Sequence, residues 1–410
     1  ILENPETALE MAYYIKTGLM TTEVQEQYEQ LIRGTAKVLS EKELISKLET
    51  MQPLRVKLGV DPTAPDIHLG HTVVIEKLRQ FQSLGHQAIL IIGDFTATVG
   101  DPTGRSSTRP PLTRDEVLAN AETYTDQAFK ILDKDQTEVV YNGEWFRKMN
   151  YEEVLKLNAR VTMQQMLQRE DFKSRIDDAV EVRLHEIQYP IMQGWDSVEV
   201  RADVELGGTD QLFNILVGRD MQKSQGMEPQ VAMCLPILEG TDGVKKMSKS
   251  YGNYVGVDES PSEMFGKTMS VSDDLMDRWY TLLLGTERDK DLHPMEAKKQ
   301  LAQSIVERYH NAEKAQEARA DFESKFVKND SEADWPEVDL GTERRIIASV
   351  GIAYAEGFNV KRSGGEVRQL ISQGAIQIDG EKITDLKVNL PEDIKGKILR
   401  LDKKHSVRLI

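Results

Sequence analysis

The chain has 410 residues, 39% of them apolar and 29% charged, which at ~100–200 residues per domain suits two to four domains and at least one large core. No uncharged apolar run approaches the ~20 residues that span a bilayer, so a soluble globular protein without a membrane partner is expected. A net charge of -16 argues against a nucleic-acid coat over the whole surface, because phosphate binding needs Lys and Arg facing the backbone. Residues 1–50 read as helical, with Ser40 and Glu43 forming a capping box ahead of Leu44, Ile45 and Leu48. Arg55–Val60 alternates Val56, Leu58 and Val60 and runs into Asp61-Pro62, which predicts a strand ending in a turn. A helix is expected from Leu69, with Val74, Leu78 and Phe81 on one face and Gly85 at its end. The continuous apolar run Ala88–Ile92, stopped by Gly93, reads as a parallel strand covered on both faces, which completes a βαβ unit.

Further along, the pattern predicts a helix over 112–133, a strand at Val139–Tyr141, and helices over 151–170 and 182–195. Strand Val204–Leu206, a Gly-Gly turn, a helix over 211–225 and strand Val231–Leu238 repeat the βαβ theme. Residues 51–255 thus read as an α/β domain with a Rossmann-type parallel sheet and a helical insertion over about 112–200, its ligands expected at the carboxyl ends of the strands. Residues 256–328 read as helical without a strand, and 329–360, acidic at first and holding Pro336, as a linker. Residues 361–410 open on a Ser363/Glu366 capping box and a short helix, then a strand with Ile376 and Ile378 turning at Asp379-Gly380, a small α+β module. This module carries 11 Lys+Arg against 7 Asp+Glu, whereas residues 1–360 carry 41 against 61, an asymmetry that fits a basic nucleic-acid module on an acidic body. The single cysteine, Cys234, excludes an internal disulfide and suits a reducing cytoplasm; no secretion signal is visible, and a start at Ile1 rather than Met suggests a trimmed terminus.

Two short segments carry chemistry. His68-Leu69-Gly70-His71 follows a strand and turn and opens a helix, where orphan N–H groups and the helix dipole attract phosphate, Gly70 lets a flat ring approach, and two imidazoles can bond phosphate oxygens. A metal pair or helix-capping histidines are the alternatives, although no third ligand at useful spacing accompanies a pair. Lys246-Met247-Ser248-Lys249-Ser250 follows the last strand in a polar loop, and two lysines three apart can bring mobile positive charge to a developing pyrophosphate. Alone, such a loop reads as an ordinary solvated surface.

Together, in this order and beside strand ends, the two segments resemble the HIGH and KMSKS motifs of class I aminoacyl-tRNA synthetases. More closely, the chain resembles the bacterial tyrosyl members, through Gly59-Val60-Asp61-Pro62-Thr63, Gly100-Asp101-Pro102-Thr103-Gly104, Tyr189-x-x-x-Gln193-x-x-Asp196 and Gly207-Gly208-Thr209-Asp210-Gln211. The resemblance implies a tyrosine-tRNA ligase that uses ATP with Mg²⁺ and no prosthetic group, charges tRNA(Tyr), and works as a homodimer through the segment around 112–180. It also implies that 256–328 lies on the anticodon side of the tRNA and that 361–410 is an S4-like RNA-binding domain.

Residue by residue, it implies that Asp101, Tyr189 and Gln193 hold the tyrosine ammonium, that Asp196 accepts the phenolic hydroxyl, and that Gln211 meets the reacting carboxyl region, with Asp61 and Lys57 on the same tyrosine side. Asp210 is implied at the ribose, Gly59, Gly70 and Gly208 against ATP, and His68, His71 and Thr63 at its phosphates, joined by Arg105, Arg109, Lys246 and Lys249. Tyr189, Gln193 and Asp196, at i, i+4 and i+7, share one face of the expected helix. Lys57 stands where many bacterial members have a second hydroxyl-binding tyrosine; charged, it can donate to the phenolic oxygen but cannot accept its proton. The rivals are a tryptophanyl enzyme of the same class, an RNA-binding or splicing protein on the same fold, and another adenylyl or nucleotidyl transferase. Amino-acid-dependent ATP–pyrophosphate exchange separates them.

Overall fold

Thr21 and Ser40 each place a side-chain oxygen on an orphan N–H, opening helices α1 (Thr22–Ile32) and α2 (Glu41–Glu49), and the Ser40/Glu43 capping box is fully formed. In this computed structural model, residues 21–63, 66–102, 112–331, 335–379, 381–391, 393–402 and 405–410 are described. Between the two helices, where the sequence reads as continuous helix, lies strand β1 (Lys37–Leu39), which pairs antiparallel with β6 (Val231–Leu235). Three residues are too few for a period of two to stand out from a helical pattern. Strand β6 itself stops at Leu235, three residues before the expected end.

The main sheet has the order β1-β6-β5-β2-β3-β4, with β2 (Arg55–Val60), β3 (Gln87–Ile92), β4 (Thr137–Tyr141), β5 (Val204–Gly208) and β6 mutually parallel. Helix α3 (Leu69–Ser83) links β2 to β3 and buries Leu78 and Phe81, as its apolar spacing predicts. The order runs outward from β2 through β3 and β4 on one side and through β5 and β6 on the other, so the carboxyl ends of β2 and β5 flank a topological switch point. Helix α4 (Arg114–Ala128) and β4 belong to this layer, which narrows the helical insertion expected over 112–200 to the stretch after β4. That stretch includes α5 (Tyr151–Asn158), α6 (Glu170–Asp177) and α7 (Leu184–Glu199). Helix α8 (Leu212–Ser224) connects β5 to β6.

The helical stretch expected as a separate domain over 256–328 shares one hydrophobic core with the sheet: Met264, Trp279 and Leu301 cluster with Val56, Leu78 and Val231. Helices α9 (Pro261–Met269), α10 (Asp273–Trp279) and α11 (Pro294–Tyr309) supply these side chains, and α12 (Ala312–Ser331) follows. Residues 1–322 form one compact unit and 323–410 a second. The second unit begins earlier than the expected boundary at 361, because the stretch read as a linker holds β7 (Glu337–Val338) and α13 (Ile346–Phe358). Val338, Ile346, Val350 and Tyr354 lie in its core. Helix α14 (Gly364–Ser372), with its Ser363/Glu366 capping box, and strands β8 (Gln377–Ile378), β9 (Glu381–Lys382), β10 (Ile398–Arg400) and β11 (Ser406–Leu409) complete an α+β unit with sheet order β7-β11-β10-β8-β9.

Candidate active site

At the switch point, the carboxyl ends of β2 and β5 open into a cleft of about 430 Å³, bounded by the start of α3, by α7 and by the loop after β6. Asp61, Thr63, His68, Gly70, His71, Asp101, Tyr189, Gln193, Asp196, Gly208, Asp210, Gln211 and Lys246 all line it, with Gly59 at the end of β2. Arg105 and Arg109 lie outside the described residues. The cleft floor is closely built: a Cβ at Gly93, the residue just past β3, would stand 2.0 Å from Asp61 Oδ1, so glycine lets the chain pass beneath that carboxylate.

One end of the cleft is acidic and buried. The Tyr189 hydroxyl donates to Asp61 Oδ2 (2.9 Å), and Thr96 Oγ1 donates to Asp61 Oδ1 (2.7 Å). Burial and then the Asp61 charge push the Tyr189 phenol well above its ordinary range, so it stays a donor. Asp101 accepts from Gln211 Nε2 (2.8 Å) and from the buried guanidinium of Arg169 (3.3 Å). Asn214 continues this chain, its amide donating to Gln211 Oε1 (3.0 Å) and Gln193 Oε1 (2.8 Å). Asp61, Asp101 and Asp196 all act electrostatically on Tyr189, a concentration of negative charge suited to an ammonium.

Asp196, 3% exposed, accepts from Trp145 Nε1 (3.0 Å) and Asn142 Nδ2 (3.3 Å). Burial raises its pKa to about 7, against the lowering charge of Lys57 and the two donated hydrogen bonds. With one donor on each oxygen, lone pairs remain for a hydroxyl donor entering from the cleft.

Among the described site residues that the sequence points to, Lys249 lies just outside the cleft lining, paired with Asp66, and the greater departure is Lys57. It does not line the cleft: its side chain is fully buried, and Nζ meets Glu205 Oε1 (2.9 Å), Ser197 Oγ (2.8 Å) and the Gln193 carbonyl (2.9 Å). All three N–H groups are used, so it has none to give a phenolic oxygen.

The opposite end is basic. The rings of His68 and His71 stack with centroids 3.8 Å apart at the N-terminus of α3. Desolvation and mutual proximity hold His68 down to about 2, and desolvation together with the Lys249 charge holds His71 down to about 4. Both are neutral rings at neutral pH. The lysine loop docks on this turn: the Gly70 N–H donates to Met247 Sδ (3.2 Å), and Lys249 pairs with Asp66. A Cβ at Gly70 would stand 3.0 Å from the His68 ring and 3.3 Å from Met247 Cβ, so a larger residue there would press on both the histidine and the docked loop. Asn253, nearly buried, fixes the loop by accepting from Ser248 N (2.8 Å) and donating to Asp242 Oδ2 (2.9 Å). A negative pocket joined to a helix N-terminus and two lysines can hold an amino acid with its carboxylate facing a nucleotide phosphate.

Several residues of this site escape a reading of the sequence: Asn142, Trp145, Thr96, Arg169, Asn214, Asp66 and Asn253. Only Asn142 and Thr96 carry a signal, since each follows the carboxyl end of an apolar parallel strand.

A family model described as tRNA synthetases class I (W and Y) matches residues 49–327. The chain is 49% identical over 404 residues to the tyrosine–tRNA ligase of Oleidesulfovibrio alaskensis, covering 95% of this chain and 99% of that one. It is 49% identical over 406 residues to that of Moorella thermoacetica, covering 94% and 96%. Among solved structures, it resembles a C-terminally truncated mitochondrial tyrosyl-tRNA synthetase from Coccidioides posadasii (TM-score 0.59, 24% identity, 77% of this chain and 96% of that one). It also resembles the tyrosyl-tRNA synthetase of Archaeoglobus fulgidus complexed with L-tyrosine (TM-score 0.58, 22% identity, 72% and 99%), and at such identities the likeness is one of fold.

Proposed function

The chain belongs to the class I tRNA synthetases of the tryptophanyl and tyrosyl family, its activity is tyrosine–tRNA ligation, and from that premise we propose how its cleft performs the reaction. Tyrosine lies with its ammonium among Asp101, Tyr189 and Gln193 and its phenolic hydroxyl donating to Asp196. Its carboxylate, near Gln211, attacks the α-phosphorus of ATP; the bond to the bridging oxygen breaks, and pyrophosphate leaves with the electron pair. His68 and His71 donate to phosphate oxygens as neutral rings, while Lys246 and Lys249 neutralise charge that develops only as pyrophosphate departs. For Lys249 this means exchanging Asp66 for phosphate. Asp210 holds the ribose, and Gly59, Gly70 and Gly208 leave room for the nucleotide. The terminal ribose hydroxyl of tRNA(Tyr) then attacks the acyl carbon and gives up its proton, the bond from that carbon to the phosphate oxygen breaks, and AMP leaves with the electron pair. Mg²⁺ travels with the ATP phosphates.

The single observation that carries this reading is the cleft itself, where an acidic pocket ending in Asp196 meets the His68/His71 turn and the lysine loop. The stretch 256–328 would lie on the anticodon side of the tRNA, and the unit 323–410, which contains the basic module 361–410, would bind RNA. Exposed apolar side chains in the segment around 112–180, Tyr151 (77%) and Leu155 (50%), support a homodimer formed through it. Among the described residues no helix is long and apolar enough to cross a membrane, and cytoplasmic work follows from the substrates. Amino-acid-dependent ATP–pyrophosphate exchange tests the reading. Tyrosine should support exchange and tryptophan should not; exchange with tryptophan alone would overturn it.

A further inference from the structure

Lys57 and Glu205 stand opposite each other in the register of β2 and β5, both inside apolar strands and both buried (0% and 1% exposed), directly behind the acidic end of the cleft. A buried ion pair carries a desolvation penalty on each charge and is often no more stabilising than an apolar pair of the same volume. Stability alone therefore does not account for it. Its connections point into the site. Lys57 Nζ holds the Gln193 carbonyl and the Ser197 hydroxyl, which flank Asp196 on α7, and Glu205 accepts from Ser197 Oγ (2.9 Å) and Gln193 Nε2 (3.1 Å).

We infer that Lys57 is a positioning residue for tyrosine recognition: without touching the substrate, it pins the Gln193–Ser197 turn to the sheet and supplies the positive charge that faces the Asp196 carboxylate. This rests on the reading of Asp196 as the hydroxyl acceptor. An acceptor at that position works best ionised, since protonation turns one of the two oxygens into a donor and weakens the other as an acceptor. The groups facing Asp196 are Lys57 from β2, Glu205 from β5, Asn142 and Trp145 from the segment after β4, and Tyr189 on its own helix, with Asp61 beyond the Tyr189 hydroxyl. Lys57 is the one cation among these described residues; it lowers the affinity of Asp196 for a proton, and Glu205 raises it. The pair therefore sets the pH at which the pocket prefers tyrosine to phenylalanine.

The test is the ratio of kcat/KM for pyrophosphate exchange with tyrosine and with phenylalanine, measured from about pH 5.5 to 9, a span that brackets the titration of a raised carboxyl. Taking the ratio cancels titration of the amino acids' shared ammonium and carboxylate. In the parent enzyme, the ratio should rise through a midpoint near the Asp196 value of about 7. Lys57→Met should displace that midpoint upward by about one unit, a tenfold change in the proton concentration at half-effect. Glu205→Gln should displace it downward. Opposite displacements are an electrostatic signature; a merely structural role would lower the ratio alike at every pH. If Lys57→Met does not fold, the downward displacement in Glu205→Gln carries the test alone. Midpoints unchanged from the parent overturn the inference. Failure of the underlying reading looks different: a parent ratio that does not respond to Asp196→Ala removes Asp196 as the acceptor.

Discussion

Asn253→Ala should slow adenylation without weakening tyrosine binding, because the side chain lies behind the lysine loop and outside the amino-acid pocket. The amide is 4% exposed and makes two well-formed bonds, from Ser248 N (2.8 Å) and to Asp242 Oδ2 (2.9 Å), besides longer ones to the carbonyls of Lys245 (3.3 Å) and Lys246 (3.2 Å). At ~1 kcal/mol net for each good bond, the docked loop loses about 2 kcal/mol relative to its undocked states. That is roughly a 30-fold change in the balance between them. Gly240 packs flush on this side chain, since a Cβ there would stand 2.3 Å from Asn253, so alanine removes a plug as well as the bonds. Single-turnover adenylate formation at saturating tyrosine and ATP should fall roughly 10- to 30-fold, taking the 30-fold docking change as the ceiling. The tyrosine Kd, measured by equilibrium titration, should stay within about twofold. An unchanged rate in a folded variant would refute the claim that the Asn253 amide orders the loop, and an equal loss in tyrosine Kd would place the residue elsewhere in the mechanism.

Lys246→Ala and Lys249→Ala should each lower single-turnover adenylation by ~10²–10³-fold, by analogy with loss of one preorganised donor to a developing anion, with tyrosine Kd little changed. A chain ending at Ser331 should keep pyrophosphate exchange and lose tRNA charging, because 323–410 is a compact unit with its own core; equal charging by both chains would remove that unit from the mechanism. His68 and His71 are held neutral in the fold while the unfolded chain protonates them near pH 6.5, so the unfolded state binds more protons between about 4 and 6.5 and stability is lost as pH falls through that window. Replacing both with Asn should flatten the acid side of the Tm–pH curve; an unaltered slope would contradict the burial argument.

Where apolar spacing and strand-end position decide the outcome, the sequence is readable. The βαβ unit over β2, α3 and β3 and the capping boxes at Ser40 and Ser363 follow from local pattern, and the His68–His71 and Lys246–Ser250 segments from motifs placed beside strand ends, whereas Asp61, Asp101, Tyr189, Gln193, Asp196, Asp210 and Gln211 are legible only through the family resemblance. What is not readable depends on pairing across long separations. Lys57 and Glu205 are two charges in apolar strands, but only the adjacency of β2 and β5 turns them into a buried pair and takes Lys57 out of the pocket. Trp145 and Arg169 reach the site from the insertion by tertiary packing alone. The misread linker has a local cause: acidity and Pro336 conceal that Val338 and Leu340 are buried, and Ile346–Phe358 is apolar enough to be core helix.

The most direct measurement is the preference for tyrosine over phenylalanine, as a ratio of kcat/KM for pyrophosphate exchange, in the parent and in Asp196→Ala with its fold confirmed. A buried group that accepts the substrate hydroxyl discriminates because the analogue leaves it unpaired; tyrosyl enzymes are themselves the standard example of this effect, at ~10⁵ against phenylalanine, a general figure for such enzymes and not one worked from this cleft. The preference should shrink at least ~10-fold, about 1.4 kcal/mol, with the loss falling on tyrosine. A ratio that stays at the parent value would mean that Asp196 does not read the hydroxyl and that the acidic end of the cleft has another task.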